Sequence, residues 1–380
     1  MTTKERLLAA LRCRPVDYVP MALNFWHSPP RHPNATWTNE CECLEFYRRR
    51  GWDARIQVAT VVTPLPEVKV EVRYETLNDQ PVLRQIWHTP AGMVEERLRV
   101  TDDWPRGKRN ADSPVGFYDD FRTSRYIEFP FKTVSDLATL PFLFPMENAR
   151  DTDKMLSEHG HAKALADEFS VPLFAYYAAG MDWLLWLYPA EEMILRARSE
   201  PAMVHSLLDH IHSAAGRRLE ILLELGLDGV FRRGWYESAD LWSPRDFREF
   251  ARDPLAEDIR AAHAADCVFV YVMDSGVVPL LGELGSLDLD CLIGVDPATR
   301  PVDLRQVRSS LPGKALWGGI SGPLHLARGT PAETERAVEL AFESCGRLGF
   351  VLGPLVGIRH TWPWENIEAC DRAWRRLRNV

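Results

Sequence analysis

The segment Arg232-Arg233-Gly234-Trp235-Tyr236-Glu237-Ser238 places two guanidinium groups, aromatic rings and a carboxylate side by side in the chain. Paired arginines grip an anion or a planar ligand, and a neighbouring acid can handle a proton, so Glu237 is a candidate catalytic group. Arg232, Arg233 and Trp235 are then candidates for holding substrate. The same residues would also serve as an ion pair that braces a loop. Asp274, in Asp274-Ser275-Gly276, has the chemistry of a metal ligand, a general acid or a hydrogen-bond acceptor. It would equally bond the first amides of a following helix. His27 and His360 carry imidazoles, the side chain most often used for acid–base work, and suit that role or substrate binding. A hydrogen-bonded surface imidazole is the plainer reading of each. Arg359, beside His360, suits a clamp on an anionic group. Tyr176 and Tyr177 close an apolar run, and strand alternation sends one of them inward. Trp183, Trp186 and Trp235 could line an aromatic pocket or simply be buried. Asp182, just after the run that the two tyrosines close, is a further candidate and equally a helix cap, and Asp296 reads as a turn residue.

These positions converge only if a scaffold brings them together. Eight short apolar runs are present: Tyr18–Phe25, Ala54–Thr60, Val171–Tyr177, Asp228–Arg232, Cys267–Val272, Cys291–Val295, Ala315–Gly319 and Phe350–Gly353. Eight is the number that a closed parallel barrel needs. Helical patterns separate them. Ala202–Leu225 repeats Val204, Leu207, Leu208, Ile211, Leu219, Leu222 and Leu223 near helical spacing, and Gly226 stops it. Ser243-Pro244-Arg245-Asp246 and Thr330-Pro331-Ala332-Glu333 each open a helix with a hydroxyl cap, a proline and an acid. Alternating strands and helices force parallel pairing, with the catalytic groups just beyond the strand C-termini. The expected fold is an α/β (β/α)8 TIM barrel, read as one domain over 1–380. An insertion over 61–146 lies between the second and third strands. Within it, Glu67–Tyr74, Val82–His88 and Val94–Val100 alternate as strands, with turns at Asn78-Asp79 and Pro90-Ala91-Gly92. The irregular stretch Asp102–Arg125 follows, and the whole insertion is expected to act as a hairpin and lid.

The chain has 380 residues, 46% hydrophobic and 26% charged, which suits a sizeable core. It has no long uncharged apolar run and begins with a charged helical pattern, so no membrane span or export signal is expected and a cytoplasmic location is. The net charge of -9, without a Lys/Arg stripe, argues against nucleic acid. Seven cysteines in such a chain read as reduced thiols. Cys41-Glu42-Cys43 is the close pair, and without a neighbouring ligand cluster it reads as two ordinary thiols. No metal site, Walker loop, dinucleotide fingerprint or H-E-x-x-H helix is read from the chain.

The opening Thr3-Lys4-Glu5-Arg6-Leu7-Leu8-Ala9-Ala10-Leu11, followed by Pro15-Val16-Asp17-Tyr18-Val19-Pro20, resembles uroporphyrinogen decarboxylase-like (URO-D) proteins. So do Trp87-His88-Thr89-Pro90-Ala91-Gly92, Trp242-Ser243-Pro244 with Phe247-Arg248-Glu249-Phe250, and Asp274-Ser275-Gly276. Gly318-Gly319-Ile320, Gly329-Thr330-Pro331, Gly349-Phe350-Val351-Leu352-Gly353 and Glu365-Asn366-Ile367 complete the series. The resemblance runs over nearly the whole chain and implies a barrel. It implies a family whose members decarboxylate tetrapyrroles or move methyl groups to and from corrinoid proteins or thiols. Two departures narrow it. The Arg-Gln-x-x-Arg loop of the decarboxylases is replaced by Asn24-Phe25-Trp26-His27-Ser28-Pro29-Pro30. Where the thiol-activating branch has a His-x-Cys…Cys zinc site, this chain has Val272, Asp274 and Val356, and an aliphatic side chain cannot ligate zinc.

What the resemblance then implies is an enzyme of methyl transfer, removing a methyl group from a small substrate. A corrinoid acceptor, if one takes part, is expected on a separate protein, because no D-x-H-x-x-G cobalt-ligating pattern is present. No tightly bound cofactor is expected. The alternative is decarboxylation of an acidic or tetrapyrrole-like substrate, with Arg232, Arg233 and Arg359 holding carboxylates. A third reading is a non-catalytic ligand-binding barrel. Related barrels often pair, so a homodimer is compatible with the sequence.

Overall fold

Strand-forming runs and helix caps decide most of the architecture. The computed structural model describes residues 1–25, 33–101, 116, 120–299, 302–355 and 357–379. Among them are strands β1 (Ile56–Ala59), β2 (Lys69–Leu77), β3 (Gln80–Thr89), β4 (Gly92–Arg99), β5 (Tyr126–Glu128), β6 (Leu173–Ala178), β7 (Gly229–Arg233), β8 (Val268–Val272), β9 (Cys291–Val295), β10 (Ala315–Gly318) and β11 (Phe350–Leu352). Contacts divide the chain into one unit of Met1–Ala59, Leu156–Tyr177 and Leu222–Val380, and a second of Thr60–Met155 and Ala178–Ile221. The second unit therefore takes in more chain than the stretch the sequence marks as an insertion.

The first unit is an α/β assembly built on a parallel sheet in the order β1-β6-β7-β8-β9-β10-β11. Every residue of β7, β8 and β9 is buried, as expected of strands covered on both faces. Alternation sorts their side chains. Phe174, Phe231, Val268, Val270, Val272, Cys291, Ile293, Ala315, Trp317 and Val351 form one core cluster, and the intervening residues face the other way. The Phe231 and Trp317 rings lie 5.5 Å apart. Their strands are three places apart, about 14 Å in a flat sheet, so the sheet curls strongly around this cluster.

Tyr18–Phe25 is not a strand in the structure. It makes isolated bridges, Tyr18 with Asn379 and Met21 with Leu352. Two backbone groups account for this. Pro20 has no N–H to give to a ladder, and the Met21 N–H donates to the Asp53 carboxylate (3.1 Å) instead of to a backbone carbonyl. Pro20 and Met21 still act as acceptors: Leu352 N–H donates to Pro20 and Asp53 N–H to Met21, both at 2.9 Å. Arg6 holds the same Asp53 carboxylate at 2.8 Å.

The helix ends follow the sequence signals. Ser243 caps Pro244–Phe250 and Thr330 caps Pro331–Cys345, and in each the acid three residues on accepts in return from the cap's backbone N–H. Helix Pro201–Glu224 ends before Gly226, whose φ of 82° is the left-handed stop that glycine favours. In the second unit β2, β3, β4 and β5 form an antiparallel sheet. Asn78 and Asp79 both have positive φ (50° and 62°), the geometry of a two-residue hairpin turn. The sheet has one strand more than the sequence reading, because β5 is only three residues long and carries no readable alternation.

Arg218 ties the second unit together. It is almost fully buried, and it donates to the carbonyls of Val61 (2.8 Å), Pro145 (2.9 Å) and Ala214 (2.8 Å) and to the Asp151 carboxylate (2.9 Å). Asp151 also accepts from the Thr63 N–H and hydroxyl. A lysine keeps the charge but loses the planar fork. Arg218→Lys is therefore expected to cost about 2 kcal/mol, measured by chemical unfolding; no loss would mean that these bonds are replaceable.

Candidate active site

The loop after β7 begins where Gly234 N–H donates to the Val272 carbonyl (2.9 Å), one residue beyond the ladder. A Cβ at Gly234 would sit 2.5 Å from the Tyr271 ring, so only glycine lets the loop lie this close. Glu237 is fully buried there. One oxygen accepts from Arg232 Nη2 (3.0 Å), and the other accepts from the Tyr271 hydroxyl at 2.5 Å. Arg232 Nε also reaches Asp258 at 3.3 Å, and the Tyr177 hydroxyl donates to Asp258 at 3.5 Å. Asp258 belongs to helix Arg252–Ala264. The strand period explains the grouping. Arg232, Tyr271 and Tyr177 alternate with the core-cluster residues Phe231, Val270 and Tyr176, so they face the helix layer.

The sequence reading brought Arg232 and Arg233 together as one anion grip, and the structure separates them. Arg232 is engaged on the helix-facing side. Arg233 lies over the Trp235 ring at 4.5 Å, and Trp235 and Tyr176 pack against the core cluster. Of the two tyrosines, Tyr176 is the inward one and Tyr177 the outward one. Arg359 and His360 are exposed in the segment after β11. His27 and Val356 lie outside the described residues.

Asp274 follows β8 and is half-buried. Its turn is held tightly. Ala239 N–H donates to the Gly276 carbonyl (3.1 Å), and a Cβ on Gly276 (φ 62°) would meet the Asp240 nitrogen at 2.6 Å. Burial, and then the charges of Asp296 and Asp240, push the Asp274 carboxyl up to about 6. Asp296 accepts from the backbone of Ala298 (2.8 Å) and Thr299 (2.9 Å), the turn role expected of it. Its charge also acts on His325, whose Nδ1 accepts from Ser321 N–H (3.0 Å). That bond leaves the proton on Nε2 in the neutral imidazole, and burial pushes the His325 pKa down. A groove of about 520 Å3 is lined by Pro297, Ala298, Gly319, His325 and Glu333. Nothing local in the sequence singles out Tyr271, Asp258 or His325. The residues two apart from Phe231 and Val272 were the signal that could have sorted the faces.

Cys41 is exposed and Cys43 buried on helix Glu40–Arg50. Among the described residues no group of three or more His, Cys, Asp or Glu side chains is placed to hold a metal ion. Val272, at one position of the zinc motif, is an apolar member of the core cluster. The residues present do not fit that site. No helix of the described residues is long and apolar enough to cross a membrane.

Comparison with known proteins agrees with this scaffold. A uroporphyrinogen decarboxylase of Prochlorococcus marinus (strain MIT 9215) is 25% identical over 194 residues, which is 46% of this chain and 53% of the relative, so the match spans about half of that protein's length. A solved structure, a methyltransferase from Methanosarcina mazei, shares the fold at TM-score 0.61 and 19% identity, covering 99% of both chains. The model of the family Uroporphyrinogen decarboxylase (URO-D) matches residues 123–377, about two thirds of the sequence and all strands from β5 to β11, and the chain belongs to that family.

Proposed function

We propose that this chain is a methyl-transferring enzyme of the URO-D family, with Asp274 as its proton donor. The observation that carries the reading is the placement of Asp274. It is a half-buried carboxyl beyond the end of β8, raised to about 6 and fixed by the loop after β7. At neutral pH a fraction of such a group is protonated and the rest is ionised, which is what a general acid needs. The fold shared with the Methanosarcina mazei methyltransferase over the full length supports the transfer reading.

In the proposed step, the bond between the methyl carbon and an oxygen or nitrogen of the small substrate breaks as a nucleophilic acceptor bonds to that carbon. The departing heteroatom keeps the electron pair and takes the proton of Asp274, which regains one from solvent. The acceptor is a corrinoid presented by a separate protein. Tyr176, Arg233 and Trp235 hold the substrate. Arg232, Glu237 and Tyr271 are positioning residues, because Glu237 is enclosed and doubly bonded while the loop it anchors holds the Asp274 turn. Arg359 and His360, exposed after β11, suit contact with the incoming acceptor. We further propose that the scaffold is a closed (β/α)8 barrel, with Pro20–Asn24 as its eighth stave. The bonds from both sides to Pro20 and Met21, and the curl that joins Phe231 to Trp317, support closure.

The test is to incubate the protein with small O-methyl and N-methyl compounds and reduced free cobalamin as stand-in acceptor. Formation of methylated cobalamin is the expected result. Carbon dioxide release from porphyrinogens or small acids, without any methyl transfer, would favour decarboxylation instead, the activity named for the Prochlorococcus relative.

A further inference from the structure

Arg55 stands immediately before β1, inside an apolar run, and is 7% exposed. Its guanidinium carbon lies 4.8 Å from the Trp317 ring centroid and 5.1 Å from that of Phe231. Both rings belong to the core cluster enclosed by the curled sheet. Among the described residues no carboxylate pairs with Arg55 and no acceptor is bonded to it, and its buried Nε has no partner. The indole N–H of Trp317, the ring that the guanidinium overlies, is also buried without a partner, and so is that of Trp235, which packs on the same cluster. All three orphans are donors. Burial lowers the Arg55 pKa only to about 10, so the group is charged at neutral pH.

A cation in an apolar enclosure, without counter-charge, is costly unless something anionic joins it. Two other buried arginines of the unit are answered by carboxylates: Arg6 by Asp53 and Asp17, and Arg232 by Glu237 and Asp258. Arg55 has no such counter-charge among the described residues. The orphan set can donate and cannot accept, which selects a ligand of pure acceptors. The forked guanidinium matches a carboxylate in two bonds. Flanking Phe231 and Trp317 faces favour an apolar body attached to that carboxylate, over a compact, strongly hydrated inorganic anion.

We infer that Arg55, together with the Trp317 indole N–H, forms a subsite inside the curled sheet for the carboxylate of a small organic acid. The subsite names a substrate class for the site that Tyr176, Arg233 and Trp235 are proposed to form. It rests on that reading only in supposing that a small molecule binds there, and not on which group is transferred.

The test reads binding rather than turnover, so its failure is separable from failure of the methyl-transfer assay. Sodium propionate and sodium benzoate are added to the purified full chain, with sodium chloride and inorganic phosphate at matched ionic strength as the other arms. The expected result is a Tm rise of several degrees with the two carboxylates that chloride and phosphate do not give, accompanied by a change in tryptophan fluorescence. Arg55→Met removes the charge and keeps the volume. Without added acid it should melt at or above the wild-type temperature, and it should not respond to propionate. A wild-type response to phosphate that equals or exceeds the carboxylate response would overturn the assignment. So would an undiminished response in Arg55→Met, or a folded Arg55→Met that melts below wild type without ligand. If the methionine variant does not fold, Arg55→Lys decides: loss of the fork should weaken propionate about tenfold or more, and an unchanged Kd would refute the subsite.

Discussion

Asp274→Asn is expected to lower turnover by a factor of about 100 to 10,000. Asparagine keeps the shape and the hydrogen-bond acceptor and cannot give up a proton. The sign of the pH dependence follows from the raised carboxyl. As an acid, Asp274 works while it is protonated, so activity should fall as pH rises through about 6, and the residual activity of the variant should lack that limb. Stability runs with the same sign. The folded chain binds this proton more tightly than the unfolded chain, whose ordinary value is 3.8. The cost of ionising Asp274 in place is therefore absent below pH 3.8 and fully felt above about 6. Relative to wild type, Asp274→Asn should gain stability across that interval. A variant with wild-type kcat and an unchanged pH profile would remove Asp274 from the proton step.

Arg232→Met should be the most destabilising single change in the sheet's outer layer, by about 3–5 kcal/mol. It leaves two carboxylates, Glu237 and Asp258, buried without their shared cation. The cost comes from the stranded charges more than from the lost packing. Adding Glu237→Gln, which removes one of them, should therefore recover part of the loss, and a double-mutant cycle by urea unfolding measures the coupling. A loss below about 1 kcal/mol, or strictly additive changes, would show that the network is dispensable. Catalysis should fall in the single variant even at temperatures where it remains folded, because the loop after β7 holds the Asp274 turn through Ala239 and Gly276.

The sequence made much of this legible, because local signals and tertiary structure agree along most of the chain. The run Cys291–Val295 is β9 without change of boundary, and the other strands of the parallel sheet shift by a residue or two. The Ser243 and Thr330 caps and the Gly226 stop are where the hydroxyl, acid and glycine placed them. Tyr18–Phe25 misled because composition alone does not show that Asp53, distant in sequence, takes the Met21 N–H. β5 carried no signal at three residues.

Site residues were harder to read for a different reason. Adjacent residues in a strand serve opposite faces, and the unbroken apolar run before Arg232-Arg233 does not say which is which. Phase is fixed only by what packs: Phe231 inward, hence Arg232 toward the helix carrying Asp258. Arg55 sits in an apolar run, and an isolated arginine there is itself the available signal. Asp274 was readable from its motif, but its proton affinity was not, since that depends on burial and on Asp296 and Asp240 from two other loops.

Direct titration of the Asp274 carboxyl carbon by isotope-edited NMR, with Asp274→Asn to assign the resonance, examines the proton step at its source. A midpoint near 6, lowered when Asp296 is replaced by Asn, is the expected result. A midpoint near the ordinary 3.8, indifferent to Asp296, would mean that the group is fully ionised at neutral pH and has no proton to donate.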